Sequence, residues 1–188
     1  STRPVSIGRL ERFVADWEAL HNPVVPEIAP PNHRKVAVIG CGPGGLTCAG
    51  DLAKMGYDVT IFEAFHELGG VLRYGIPEFR LPNQLIDDVV TKIKLLGGRF
   101  VTNFVVGKTA TLEELREAGF VKVFVGSGAG LPRFMNVPGE HLLNVMSANE
   151  FLTRVNLMQG HRNGYETPLP AVVDKQVLVI GGGNTAMD

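Results

Sequence analysis

The stretch KVAVIGCGPGGLTCAG, Lys35 to Gly50, decides the fold. Its short apolar run up to Gly40 is bounded by a glycine turn, which reads as a buried strand. GGLTCAGDLAKMG follows as a helix, and DVTIFEA is a second strand that ends near Glu63. This strand–helix–strand unit of about thirty residues implies a right-handed crossover between parallel strands. Gly40, Gly42 and Gly45 fit the spacing G-x-G-x-x-G, and the acidic Glu63 lies 23 positions after Gly40. Each residue type has a physical task in a dinucleotide site. Gly40 makes the tight turn, Gly42 lets the backbone approach a pyrophosphate, and Gly45 lets helix and strand pack closely. The helix N-terminus offers unpaired N–H groups and about half a positive charge to phosphates. A carboxylate at Glu63 accepts ribose hydroxyls and repels a 2′-phosphate, so the site suits FAD or NAD over NADP.

Downstream the alternation continues. NQLIDDVVTKIKLLGG reads as a helix closed by glycines, RFVTNFVVG as a strand, and VKVFVGSGAG as a further buried strand. TLEELREAG and SANEFLTRV both open with capping-box residues, Thr111 with Glu114 and Ser147 with Glu150. QVLVIGGGNTAMD, Gln176 to Asp188, repeats the strand-to-glycine step, and its QVLVI is expected to pack as a strand on the preceding domain. Such alternation predicts an α/β fold, a Rossmann-like, doubly wound and mostly parallel sheet. Upstream, GRLERFVADWEAL predicts a preceding N-terminal helix whose Leu10, Phe13, Val14, Trp17 and Leu20 share one face. That face is expected to pack on the following domain, with a docking role as the alternative. HNPVVPEIAPPN holds four prolines and reads as a stiff connector.

Two further glycine sites extend the first. FHELGGVLRYGIPEFRLPN is punctuated by Gly69, Gly70, Gly75, Pro77 and Pro82, which predicts an ordered loop. Its Leu72, Tyr74, Ile76 and Leu81 form an apolar lining with Arg73 and Arg80 embedded, suited to a long cofactor with a flat ring. Gly126, Ser127, Gly128 and Ala129 follow a strand's C-terminal end, where ligands of open α/β sheets sit. Composition narrows the rest. Eighteen basic and 19 acidic residues, in no like-charge run, leave no footprint for nucleic acid. No window approaches the apolar length of a membrane span. Cys41 and Cys48 alone make no metal cage and fit a reducing cytoplasm, and the five histidines are scattered in loop-like segments. Neither a Ser-His-Asp order nor paired carboxylates stand out, so no catalytic side chain is assigned and a cofactor is expected to carry the chemistry.

Taken in order, RLERFVADW, VAVIGCGPGGLTCAGDLAKMGYDVTIFEA, GGVLRYGIPEFRLP, VFVGSGAGLPRFMNVPGE and VLVIGGGNTAMD resemble the small (beta) subunit of NADPH-dependent glutamate synthase. The chain is similar also to the large subunit of NADH-dependent ferredoxin:NADP oxidoreductase and the N-terminal part of dihydropyrimidine dehydrogenase. All are flavoproteins with two dinucleotide-binding domains. The resemblance implies FAD on the first site, with Gly40, Gly42, Pro43, Gly44 and Gly45 at the pyrophosphate and Glu63 on the ribose. Gly70, Val71, Arg73 and Tyr74 would lie along the cofactor, Val106 would meet the adenine through its backbone, and Gly126 to Ala129 would cover the pyrophosphate. It also implies NADPH at Gly181, Gly183, Asn184, Thr185 and Ala186, iron–sulfur clusters upstream, and a larger catalytic subunit or ferredoxin-like electron acceptor.

The pattern departs from the family at both ends, since cysteine-rich cluster ligands and a completed second domain are not in this sequence. The expected organisation is therefore a fragment. Residues 1–32 form a helix and linker left from an iron–sulfur domain, 33–174 an incomplete FAD-binding domain, and 175–188 the start of a truncated NADPH domain. In that form the second glycine turn is expected to hold no nucleotide and the isolated chain to be inactive. Two alternatives stay open on the residues: a single-Rossmann NAD-dependent dehydrogenase, and a non-catalytic nucleotide-binding interaction module.

Overall fold

Four strands run parallel in one sheet, and the chain order places the first of them inside. The computed structural model describes residues 4–21, 26–170, 172 and 174–188. β1 (Lys35–Ile39), β2 (Asp58–Phe62), β3 (Arg99–Val101) and β4 (Phe120–Val125) take the order β3-β2-β1-β4. The chain thus moves outward from β1 to β3 and then crosses back, so the order reverses between β1 and β4. Open α/β sheets bind ligands at the strand ends beside such a reversal. Register pairs Val38 with Ile61 and with Phe124, so apolar side chains lie abreast across three strands.

Side chains alternate between the two faces of a strand, and both faces of β1 are covered. On one face Val38, Val59 and Ile61 are fully buried against Leu46, Ala49 and Ala53 of α2 (Pro43–Lys54) and Val90 and Ile93 of α4 (Asn83–Leu95). On the other, Ala37 and Phe62 pack with Leu115 of α5 (Leu112–Glu117), with Phe104, Val106 and Phe120 alongside. Each fully buried Val, Leu or Ile contributes about 1.5–3 kcal/mol. The Thr111 capping box forms in both directions: Glu114 N donates to Thr111 Oγ1 at 3.2 Å and Thr111 N to Glu114 Oε2 at 2.7 Å. Those bonds lower the Glu114 pKa. Only half of the second box forms, where Glu150 N donates to Ser147 Oγ at 3.1 Å ahead of α6 (Ala148–Leu152). α6 then runs directly into a π-helical turn, Thr153–Leu157.

Several expectations are corrected. α1 (Ile7–Leu20) forms, but Leu10, Phe13, Val14, Trp17 and Leu20 are 54–80% exposed, so the apolar face does not pack on the domain. Periodicity settles which residues share a face, not what covers them. The helix is held by its own bonds, an Arg12–Asp16 pair at 2.7 Å and Trp17 stacked on His21 at 4.5 Å. Part of the proline-rich connector, residues 22–25, lies outside the described residues. The strand at RFVTNFVVG stops at Val101, and Val106 instead faces Ala110 in an isolated bridge. β4 is an edge strand with Val121, Phe124 and Val125 exposed, not a buried one. The glycine-punctuated loop holds one helical turn, α3 (Val71–Tyr74). QVLVI is no strand: Val177 to Ile180 are exposed and pair with none of the four strands, so the outer edge of β4 stays without a partner among the described residues. The chain regains a helical turn only at α7 (Asn184–Met187).

Candidate functional site

At the C-terminal end of β1 the backbone is pulled from both sides. Gly40 N donates to Phe62 O and Gly126 N to Ile39 O, both at 2.8 Å, which draws the ends of β2 and β4 against the turn. Gly40 has φ +96°, and a Cβ there would lie 2.4 Å from Gly126 O. A side chain is excluded on both counts. A Cβ at Gly45 would lie 2.0 Å from Gly40 O, so α2 rests directly on the turn as the fingerprint requires. The loop after β2 closes on the same point: Gly70 has φ +54°, and its Cβ would meet Gly42 Cα at 2.9 Å. Gly126 is equally tight, its Cβ falling 2.9 Å from the Phe124 ring.

Gly42 and Gly44 are the opposite case, with nothing within 4 Å of an added Cβ. Gly42 is the N-cap of α2, Pro43 is its first residue, and no side chain caps the helix. Unpaired amides and the positive end of the helix dipole therefore face open space, the arrangement that receives phosphate. Glycines packed on all other sides and free on this one form the cradle.

Glu63 is 5% exposed and its carboxylate already holds two amides: Cys41 N donates to Oε2 at 2.8 Å and Phe65 N to Oε1 at 3.0 Å. The acid is thus fastened to the glycine turn, with lone pairs left on both oxygens. Its charge acts on its neighbours. Burial pushes the Cys41 thiol up to about 11, with a Gly69 backbone bond opposing and Glu63 adding to the rise. Burial and then Glu63 raise the Tyr74 phenol. Cys41 and Cys48 are free thiols. Phe104 N donates to Glu63 O at 2.9 Å, which carries the chain around the acid to Val106. Val106 packs behind Phe62 with Phe104, beside the acid rather than at a strand end.

The remaining residues separate into two groups. Val71 is exposed on α3, and Tyr74 packs edge-on to Phe65 at 5.5 Å, its hydroxyl 3.9 Å from where a Cβ on Gly130 would stand. Ser127, Gly128 and Ala129 are exposed coil beyond β4. These flank the cradle. Arg73 is already engaged: Nε donates to Leu68 O at 2.9 Å, and the guanidinium pairs with Asp87 and Glu67 while its charge opposes the rise at Cys41 in the turn. The five histidines are all exposed. No group of three metal-ligating side chains occurs among the described residues. The second glycine turn copies the first in outline, with Gly181 at φ +134°, its added Cβ 3.5 Å from Ala186 Cβ, and Gly183 capping α7. Asn184 and Thr185 open that single turn of helix. It lacks the paired strands that hold the first turn.

Sequence reasoning missed Glu140 and Asn156. The buried Glu140 carboxylate accepts Met135 N and Asn136 N at 2.6 and 2.9 Å, closing the loop after β4. Asn156 Nδ2 donates to Tyr74 O at 3.2 Å across 82 positions. Neither has a local sequence signal.

Residues 34–188 match the family model described as pyridine nucleotide-disulphide oxidoreductase. The chain belongs to that family. Among curated relatives it is 40% identical, over 98% of this chain and 42% of the relative, to the NAD-dependent dihydropyrimidine dehydrogenase subunit PreT of Escherichia coli K12. It is 35% identical to the glutamate synthase [NADPH] small chain of Azospirillum brasilense, covering 98% of this chain and 39% of the relative. The resemblance to the glutamate synthase small subunit and dihydropyrimidine dehydrogenase is thereby borne out. The chain spans about two fifths of the length of these relatives. Among solved structures, Mycobacterium tuberculosis FprA in complex with NADPH aligns with a TM-score of 0.58 at 25% identity, over 65% of this chain and 28% of that one. The Rossmann-like α/β fold is the one expected.

Proposed function

We propose that this chain is the FAD-binding portion of an NAD(P)H-dependent oxidoreductase of the glutamate synthase small-subunit type. In the whole protein, electrons pass from NADPH through FAD to iron–sulfur clusters or a partner subunit. One observation carries the reading: five glycines and Glu63 converge on one turn, and the open side is the uncapped end of α2. That cradle is what a Cβ-free approach to a pyrophosphate needs, so the residues fit the cofactor. Bound FAD supplies the acceptance of hydride from a nicotinamide and the release of electrons. The chain's own part is to bind and orient. Gly40, Gly42, Pro43, Gly44 and Gly45 line the pyrophosphate, which the amides of Gly42, Gly44 and Gly45 take, while the Gly40 N–H stays on Phe62 O and the free lone pairs of Glu63 take the ribose hydroxyls. Val106 meets the adenine through its backbone. Gly70, Val71 and Tyr74 run along the cofactor, and Gly126 to Ala129 cover it. Arg73 lies along the cofactor with them, its guanidinium held to α4 through Asp87.

The domain reading follows: 1–32 as helix and linker, 33–174 as the FAD-binding unit, 175–188 as the opening of an NADPH-binding unit. Gly181, Gly183, Asn184, Thr185 and Ala186 take NADPH only where that unit is complete. The partner is a larger catalytic subunit or ferredoxin-like acceptor in the cytoplasm, supported by relatives named as subunits. Titration tests the reading. FAD at a hundredfold excess over Kd stabilises the chain by about 2.7 kcal/mol, seen as a raised melting temperature and quenched flavin fluorescence. Protection by NAD with none by FAD would favour the single-Rossmann dehydrogenase, and protection by neither removes the nucleotide site. The exposed face of α1 favours a second reading, a non-catalytic module that docks through that helix. An oligomeric state unchanged on deleting residues 1 to 20 counts against it.

A further inference from the structure

The loop Gly69–Pro82 is touched by the far end of the chain at three places. Asn156 Nδ2, in the π-helical turn, donates to Tyr74 O at 3.2 Å. Arg162 lies 3.7 Å from Glu78. Arg80 pairs with Asp188, 108 positions away, and the Asp188 side chain is only 6% exposed. The three anchors fall at Tyr74, Glu78 and Arg80, so they grip the loop from its middle toward its end. Their partners are themselves fixed. Gln159 Nε2 donates to Asn156 O at 2.7 Å, and Arg154 Nη1 to Pro168 O at 2.7 Å. Asp188 directly follows α7, which Gly183 of the second glycine turn caps. A π-turn of this kind interrupts regular helix packing and recurs at functional sites.

We infer that residues 148–170 and 174–188 form a positioning clamp for the Gly69–Pro82 loop, in which the Arg80–Asp188 pair ties the second glycine turn to the loop flanking the first. What the loop does with a cofactor rests on the reading under Proposed function; the clamp itself does not. Mechanically, the pair makes the placement of the two turns mutually dependent, as coupling between sites must be. Arg80, Asp188 and Asn156 are positioning residues: they orient the backbone of Tyr74 to Leu81 rather than meet a ligand.

The test is a double-mutant cycle on the 188-residue chain with two readouts. Hydrogen exchange follows the amides of Tyr74, Arg80, Leu81, Met187 and Asp188, all bonded in the native loop and turn. FAD affinity is followed by flavin fluorescence. Arg80→Ala and Asp188→Ala are each expected to speed exchange at both ends of the pair, and to weaken FAD, about fivefold. The double variant should be no worse than either single, and the unliganded melting temperature should hold within about 2 °C. Asn156→Ala should loosen Tyr74 and leave Asp188 protected. Multiplicative effects in the double variant, or exchange that moves at only one end of the pair, overturn the clamp. Failure of the unmutated chain to bind FAD removes the functional reading instead, and the exchange cycle still decides the clamp.

Discussion

Substituting the glycines of the first turn one at a time should separate fold from ligand. At Gly45 a Cβ would stand 2.0 Å from Gly40 O, against the 3.0 Å below which real contacts essentially do not fall, so α2 must retreat by 1.0 Å or more. Overpacking of this size costs about 3 kcal/mol, and alanine's better helix propensity returns about 1. The net of about 2 kcal/mol lowers the melting temperature by about 4–8 °C for a chain of this length. At Gly42 an added Cβ meets nothing within 4 Å, and the backbone is ordinary for an L residue. Gly42→Ala loses only N-cap preference, about 0.5–1 kcal/mol, a fall of about 1–4 °C. With ligand the order inverts. The methyl of Gly42→Ala occupies the open side of the cradle, and FAD affinity should drop at least about tenfold. At an FAD concentration that was a hundredfold over Kd, the stabilisation then shrinks from about 2.7 to about 1.4 kcal/mol. Differential scanning fluorimetry with and without FAD reads both effects. The reasoning is refuted if Gly42→Ala destabilises the unliganded chain as much as Gly45→Ala, or binds FAD within twofold of the unmutated chain.

Thr111→Ala breaks both arms of the capping box on α5 and should cost about 1 kcal/mol, or about 2–4 °C in melting temperature. Glu63→Gln keeps one acceptor oxygen but presents an NH2 to an amide, at Cys41 or at Phe65; unfolding by urea should show a loss of about 1–3 kcal/mol. Cys41 titrates about 11 when folded and 9.0 as a free group, so folding favours its neutral thiol. That stability is complete below pH 9 and lost as pH rises toward 11, and Cys41→Ala should flatten this part of the pH–stability curve relative to the unmutated chain. By the same shift, iodoacetamide at pH 8 should label Cys48 well before Cys41.

The site was legible wherever chemistry forces a residue type at a fixed spacing. Gly40 and Gly45 answer contacts of 2.4 and 2.0 Å, and no other residue fits, so the letters themselves declare the geometry. Glu63 declared itself because an acid closing β2 must lie beside the turn that closes β1. Thr111 and Glu114 are a local bargain completed within four residues. Burial was less legible. VKVFV reads the same in the centre of a sheet as at its edge, since the difference is which strand arrives on the far side. QVLVI has strand composition, yet a strand is a pairing, and no neighbour offers one among the described residues. α1 has an apolar stripe without a cover. Contacts between Tyr74 and Asn156, or Arg80 and Asp188, leave no periodic trace because their partners are 82 and 108 positions apart.

The two ends of the cradle differ in how they are supported, and this bears on what binding can achieve. The pyrophosphate and ribose end is built from β1, β2 and α2, whose side chains form the main buried cluster, and from an acid fastened by two backbone amides. Its donors are preorganised, so little ordering cost falls on the ligand there. The other end runs out along α3 and the coil beyond β4, where Val71, Leu131 and Phe134 are 41–91% exposed. In the proposed complex a flat ring arriving there would meet one wall, the loop that polar links join to residues 156, 162 and 188. On the proposed reading, most of the affinity of this chain for FAD should therefore come from the adenosine and pyrophosphate half. Adenosine diphosphate should compete with FAD at an affinity lower by about five- to tenfold, the share held by the ring end, whereas riboflavin should not compete. Loss of the clamp should weaken FAD and leave adenosine diphosphate unchanged, because only the ring end feels the loop.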